Sequence, residues 1–333
     1  MRKCLILVIA IVIALCISEF VVVGIIGYPR NITGSRKFKI SEDIGAYNVL
    51  AMRPPDYPIW SVEGGNKVVR LNNRGLPGPA ISNRDGNKNI ILLGDSFIEG
   101  YQFPGEIIAA GVLQRELSQN DSMLQVINLS SSAHDPYMLW HRLHFYERYY
   151  KPYKVVLVGE SFENLRGYLS RWSNNVIDFR DDFNVTELAV GRVANLQWRI
   201  RSMFGYLNLV ATLLTGESRA PEPNIKTITH GDASTDKEVI EFLQDSLSAF
   251  KNKYGADFIF VSLMVDNPYD DAIKDFCMVN NIAYYENLEI MRADNQIDGH
   301  GHFNRTGNRL LGEYLHDIIC QENASFKRPS IMH

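Results

Sequence analysis

Five short apolar runs, separated by stretches of helical pattern, constrain this chain more than any other feature. They are NIILLGD (89–95), LQVINLS (124–130), KVVLVGE (154–160), ADFIFVSLMV (256–265) and IAYYEN (282–287). Each is nearly continuous rather than alternating, which is how strands covered on both faces of a parallel sheet read. Helical spacing fills the intervals at 105–119, 136–150, 237–253 and 268–280. Within 237–250, for example, Val239, Ile240, Leu243, Leu247 and Phe250 recur at that spacing. Alternating strand and helix predicts a doubly wound α/β domain with three layers, α/β/α, on a parallel sheet of about five strands.

The first 27 residues are of another kind. Met1-Arg2-Lys3 is a basic cap on CLILVIAIVIALCISEFVVVGIIG, residues 4–27. About 20 apolar residues cross a bilayer core, so this run predicts a transmembrane anchor, with Glu19 towards its far end. The rival reading is a cleaved signal peptide with residues 5–17 as its apolar centre. Against cleavage, no small-x-small site follows and the apolar run resumes at Phe20. Arg2 and Lys3 favour an inside N-terminus, diluted by Arg30, Arg36, Lys37 and Lys39, so the rest of the chain is expected to be extracytoplasmic (periplasmic or cell-surface).

Residues 28–88 carry no helical period and are rich in Pro, Gly and Asn, reading as a stalk and irregular lead-in. An α/β domain spans 89–320, with an insertion at 166–236 that breaks the strand–helix rhythm, and 321–333 is a tail. The 46% hydrophobic content excludes a disordered chain, and a net charge of -4 excludes a basic nucleic-acid binder. Of four cysteines, Cys4 and Cys16 lie in the apolar N-terminus, leaving Cys277 and Cys320, too few for a zinc cluster.

Chemistry concentrates in two places. In ILLGDSFIEG (91–100), Gly94 permits a tight turn after the first strand and Asp95-Ser96 follow at its carboxyl end. Open α/β sheets bind ligands at that edge, and a helix beginning there offers N–H groups to a developing oxyanion. Asp and Ser are also ordinary turn and N-cap residues, so the motif alone does not make Ser96 a nucleophile. A hydroxyl needs a base oriented by a third group. The second place supplies candidates: IDGHGHFNRTGNRLLGEYL (297–315) carries Asp298, His300 and His302 before an amphipathic closing helix. The rival readings are plain surface histidines and, less readily, metal ligands.

Taken together, GDSF near the start of the domain and DGHGHFNRTGNRL near its end resemble the GDSL-like, or SGNH, hydrolase superfamily, in its membrane-anchored bacterial form. NNRGLPGP (72–79), VINLSSSA (126–133) and KPYKVVLVGESFENL (151–165) are similar to further blocks of that family, so the resemblance covers roughly 70–165 and 255–320. It implies a flavodoxin-like fold with Ser96 as nucleophile, His302 as general base and Asp298 as the group that orients it. His302 is favoured over His300 because H-F-N-x-x-G matches the family context. The oxyanion donors implied are the Ser96 N–H, a backbone N–H near Ser132 or Ala133, and the Asn164 side chain, with Gly94, Asp95 and Asn304 supporting the motifs. No cofactor or metal is implied. The activity implied is a serine esterase acting on an acyl ester, most plausibly acetyl, on an extracytoplasmic glycan. An O-acetyltransferase of an envelope polysaccharide with the same triad, and a degenerate glycan-binding or scaffold protein, remain open. Trp172, Trp198 and Tyr168 in the insertion are candidates for lining a glycan groove or for lid and core packing. The partners expected are therefore a membrane, an acylated glycan and the envelope-polysaccharide machinery, and no nucleic acid.

Overall fold

The computed structural model describes residues 67–159 except 85 and 133, residues 233–298 except 264–268, and residues 301–325. It also describes 185–187 and short pieces of the first 65 residues: 13–14, 17, 28–29, 36–40, 49–52, 55–56, 58–61 and 63–65. Strands and helices that matter to the site are numbered in chain order: β1 (Pro58–Ser61), β2 (Lys67–Arg70), β3 (Lys88–Leu93), α1 (Ser96–Glu99), α2 (Ala109–Asn120) and β4 (Leu124–Asn128). They continue with α3 (Pro136–Glu147), β5 (Pro152–Gly159), α4 (Ala233–Tyr254), β6 (Phe258–Ser262), α5 (Asp270–Val279), β7 (Ala283–Glu286) and α6 (Arg305–Ser325).

The five apolar runs form one parallel sheet in the order β7-β6-β5-β3-β4. By position in the sheet this is 2-1-3-4-5, the flavodoxin-like order, in which the crevice lies where the winding reverses, beside the first strand. That strand is β3, paired with β4 on one side (Ile91↔Ile127) and β5 on the other (Ile91↔Val155).

Alternate residues of β3 serve opposite faces, which is why its sequence is apolar without a break. Ile91 and Leu93 pack with Trp140, Phe250 and Phe258 under α3 and α4. Ile90 and Leu92 pack with Leu113, Leu311 and Ile318 under α2 and α6. On the first face Trp140 meets Phe250 edge-on at 5.1 Å, and Phe250 stacks on Phe258 at 5.1 Å, geometries aromatic pairs prefer.

The lead-in has more structure than its composition indicated. β1 and β2 form an antiparallel hairpin (Ile59↔Val69), and Ile59 and Leu71 bury together against Tyr101 of the domain. Arg36–Ile40 pairs antiparallel with Val49–Met52 and with Val185–Glu187. Asn72 and Asn73 then order the NNRGLPGP segment: Asn72 Nδ2 donates to the Pro79 carbonyl, and Asn73 Oδ1 accepts from the Ile81 N–H. No helix among the described residues is long and apolar enough to cross a membrane. The expected anchor at 1–27 lies outside the described residues apart from Ile13, Ala14 and Ile17, which are helical. The insertion, with Tyr168, Trp172 and Trp198, lies outside them save for 185–187, where a strand forms. Cys277 and Cys320 are both free thiols.

Helix α3 carries a buried titrating group at its start. Asp135 caps it, accepting from the Met138 N–H at 2.8 Å, with Pro136 at the first helical position. Burial pushes the Asp135 carboxyl up to about 7, because the N–H groups of Met138 and Tyr137 compensate only part of its lost hydration. In the native state it therefore takes a proton that the unfolded chain binds only in the usual carboxylate range. Its contribution to stability is present at low pH and is lost as pH rises towards 7. His141, in the same helix, is pushed down to about 3, first by burial and then by His144, and acts in the opposite sense: its contribution fades as pH falls below 6.5. Asp135→Asn keeps the capping acceptor and removes the titration. In urea melts across pH, the variant is expected to exceed the parent at pH 8 by up to about 4 kcal/mol and to match it near pH 4.

Candidate active site

Strand β3 ends at Leu93, and the chain turns at Gly94 into the single-turn helix α1. Gly94 is required by space: a Cβ there would sit 2.4 Å from Ile98 Cγ1. Asp95 caps the turn, its Oδ1 accepting from the Phe97 N–H at 3.0 Å, so the ordinary N-cap role is present. The next residue, Ser96, is half-buried at the carboxyl edge of the sheet.

His302 reaches this edge from the other end of the domain. Gln296 and Phe303 form an antiparallel bridge, the His302 carbonyl accepts from the Ile297 N–H at 2.7 Å, and Gly301 takes φ 73°. Asn304 fastens the base of this loop. Its Nδ2 donates to the carbonyls of Asp294 (2.7 Å) and Gln296 (3.0 Å), while its Oδ1 accepts from Thr306 and Gly307 at the start of α6. The imidazole lies 5.2 Å from the Phe97 ring, which itself meets Phe303 edge-on at 5.2 Å. The result is a contact between residues 206 positions apart: His302 Nε2 stands 2.9 Å from Ser96 Oγ.

The other ring nitrogen, Nδ1, lies 2.8 Å from Oε2 of Glu63, a residue of the β1–β2 turn. The contact is close but bent, and no acceptor among the described residues is aligned along the Nδ1–H direction. Both side chains are largely shielded, at 19% and 14% exposure, so water screens the pair weakly. Asp298, the orienting residue implied by the resemblance, sits exposed in the turn, and the carboxylate at Nδ1 is Glu63. His300, Ala133 and Asn164 lie outside the described residues.

The segment after β4 is tied to α1. Asn128 Nδ2 donates to the Ile98 carbonyl, and Asn128 Oδ1 accepts from the Ser130 N–H. The Leu129 N–H donates to Leu92 O and the Ser131 N–H to Gly94 O. Glu99, only 3% exposed, accepts from both the N–H and the hydroxyl of Ser132. The N–H groups of 129–132 are thus all engaged, and the Ser132 N–H is no longer open to an oxyanion.

Reading the sequence missed Glu63, Glu99 and Gln102. A signal for the first was present. PIWSVEGGNKVVR (58–70) holds two short β-rich runs around a Gly-Gly pair, a hairpin pattern that puts Glu63 in the turn. Glu99 and Gln102 had no signal, since a polar residue becomes a structural one only by what packs over it.

No family model matches this chain, and no curated protein matches it. Among solved structures it is similar to the psychrotrophic esterase EstA from Pseudoalteromonas sp., inhibited by monoethylphosphonate, at 15% identity, over 72% of this chain and 100% of that one, with a TM-score of 0.42. It is similar to a putative lipolytic protein of the G-D-S-L family from Desulfitobacterium hafniense at 14% identity, over 70% and 99% of the two chains, with a TM-score of 0.40. A third similar structure is TesA, at 13% identity, over 71% and 99%, with a TM-score of 0.39.

Proposed function

We propose that this protein is a serine ester hydrolase in which Ser96 is the acyl acceptor and His302 the general base. The observation that carries the reading is the 2.9 Å approach of His302 Nε2 to Ser96 Oγ at the carboxyl edge of the sheet. At that distance Nε2 takes the hydroxyl proton as Oγ attacks an ester carbonyl, then returns it to the departing alcohol. Water activated by the same nitrogen releases the acid and restores Ser96. The reading extends to an acetyl ester on an extracytoplasmic glycan, with residues 1–27 as anchor; its support is the apolar N-terminus and the resemblance of the sequence blocks. Ala133 and Asn164 remain the proposed oxyanion donors beside the Ser96 N–H.

The full-length protein is expected to release p-nitrophenol from p-nitrophenyl acetate in a burst followed by a slower steady rate, as an acyl-enzyme requires. A fluorophosphonate is expected to label Ser96 in the parent and nothing in Ser96→Ala. Labelling and turnover that survive Ser96→Ala overturn the serine mechanism. Following labelled acetyl in the presence of an envelope polysaccharide separates hydrolysis, which yields free acetate, from the transferase alternative, which yields labelled polymer.

A further inference from the structure

We propose that Glu63, from the hairpin that precedes the α/β domain, is the carboxylate that positions His302, and that Asp298 has no part in this. The inference rests on the reading of Ser96 and His302 given above and names the group that completes it. Glu63 Oε2 is 2.8 Å from His302 Nδ1, and the same oxygen accepts from Gln102 Nε2 at 3.0 Å. That leaves the carboxylate fixed from two sides, one of them a buried amide of the domain itself.

The turn that carries Glu63 is docked, not merely nearby. Ser61 Oγ donates to the Gln102 carbonyl at 3.3 Å and accepts from the Gly64 N–H at 3.0 Å. Gly64 lies so close to the domain that a Cβ would stand 1.8 Å from Gln102 O, so only glycine lets the turn approach this far. Beneath it, Ile59 and Leu71 pack with Tyr101. The three contacts converge on the 101–102 segment, which follows α1 in the chain.

The chemistry follows from where charge appears. As Ser96 Oγ bonds to the acyl carbon, its proton moves to Nε2 and the imidazole becomes a cation with Nδ1–H retained. Glu63 stays ionised, accepts from Nδ1–H and stabilises that cation. It also holds the tautomer in which Nε2 is free to accept. The bent contact of the free protein is of the kind that aligns only once substrate is bound. The hairpin is therefore part of the active site, and an α/β domain starting at residue 89 would lack its orienting group.

The test uses the full-length protein with p-nitrophenyl acetate and three variants: Glu63→Gln, Glu63→Asp and Asp298→Asn. Glu63→Gln is expected to lower kcat by two to four orders of magnitude with KM changed less than about twofold, because it disturbs the transition state and not binding. Glu63→Asp recovers part of the loss, and Asp298→Asn stays within about twofold of the parent. Proton NMR at a pH where His302 carries both ring protons, the charged state in which Glu63 is proposed to accept, gives a second readout: a far-downfield Nδ1–H resonance in the parent and in Asp298→Asn, absent in Glu63→Gln. This remains legible even if turnover is too slow to measure or the esterase reading itself fails. The proposal is overturned if Asp298→Asn abolishes the signal and the activity while Glu63→Gln keeps them. It is equally overturned if Glu63→Gln raises KM and leaves kcat alone. A Glu63→Gln protein that melts early is judged by the Glu63→Asp variant, whose failure to regain either the resonance or kcat at native stability counts against the role.

Discussion

Ser96→Ala is expected to lower kcat for an activated ester by four to six orders of magnitude, and adding His302→Ala should cost almost nothing more. The two side chains act in one event: the base has no proton to take once the hydroxyl is gone, and the hydroxyl is a poor nucleophile without the base. Their effects therefore do not add, unlike those of residues that bind substrate independently. Residual turnover above the spontaneous rate should persist in the double variant, owing to whatever donors hold the carbonyl oxygen. Steady-state kinetics of the two single variants and the double variant decide the matter. If the losses multiplied, Ser96 and His302 would be working separately and the 2.9 Å contact would be incidental.

The largest effect on stability is expected at Asn308. This side chain is buried on α6 and joins three parts of the domain. Its Oδ1 accepts from the Ala109 N–H at 2.9 Å, which supplies α2 with a cap that its own N-cap residue, Ile108, lacks. Its Nδ2 donates to Phe303 O at 3.2 Å and Asn304 O at 3.0 Å, the two residues following His302. Asn308→Leu keeps the volume but strands the Ala109 N–H and the Phe303 carbonyl away from water; Asn304 O keeps its helical bond from the Asn308 N–H. At about 1–3 kcal/mol for each of the two buried groups left unpaired, the cost is about 2–6 kcal/mol. Urea denaturation should show a lower midpoint at unchanged slope. Asn308→Asp keeps the acceptor for Ala109 but turns a buried carboxylate oxygen toward the Phe303 and Asn304 carbonyls, so near neutral pH it should cost at least as much as Asn308→Leu.

The parts of the molecule that were legible in sequence are those set by local pattern. Ile90–Leu93 reads as a buried strand because both faces of β3 are covered, and each face demands an apolar residue. Val239, Leu243, Leu247 and Phe250 read as a helix face because one stripe of α4 meets the sheet. Gly94 and Asp95 announce a turn and a cap through backbone requirements that act within a few residues.

Glu63 was not legible, and the reason is physical. Its position is decided by Gly64 fitting against Gln102 O and by Ile59 and Leu71 closing over Tyr101, contacts that cross about forty residues of chain. Asp298, by contrast, is the orienting group that the family resemblance implies; its side chain is exposed in the turn, and the carboxylate beside Nδ1 is that of Glu63. A motif carries over residue types along the chain, not the direction in which a turn points them. The Ser132 N–H was similarly a fair candidate for an oxyanion until Glu99, buried beneath it, turned out to hold it.

By itself, then, the amino-acid sequence determined the α/β alternation, the placement of Ser96 at the end of the first strand of the sheet, and the presence of a histidine loop before the last helix. Those follow from hydrophobic period and backbone chemistry, which are local. The tertiary structure brought His302, the histidine that the motif context favours, to 2.9 Å from Ser96, and it alone decided that the carboxylate behind that histidine comes from the hairpin before the domain. Pairings of that kind depend on which surfaces exclude water together, and no local pattern in the chain encodes them.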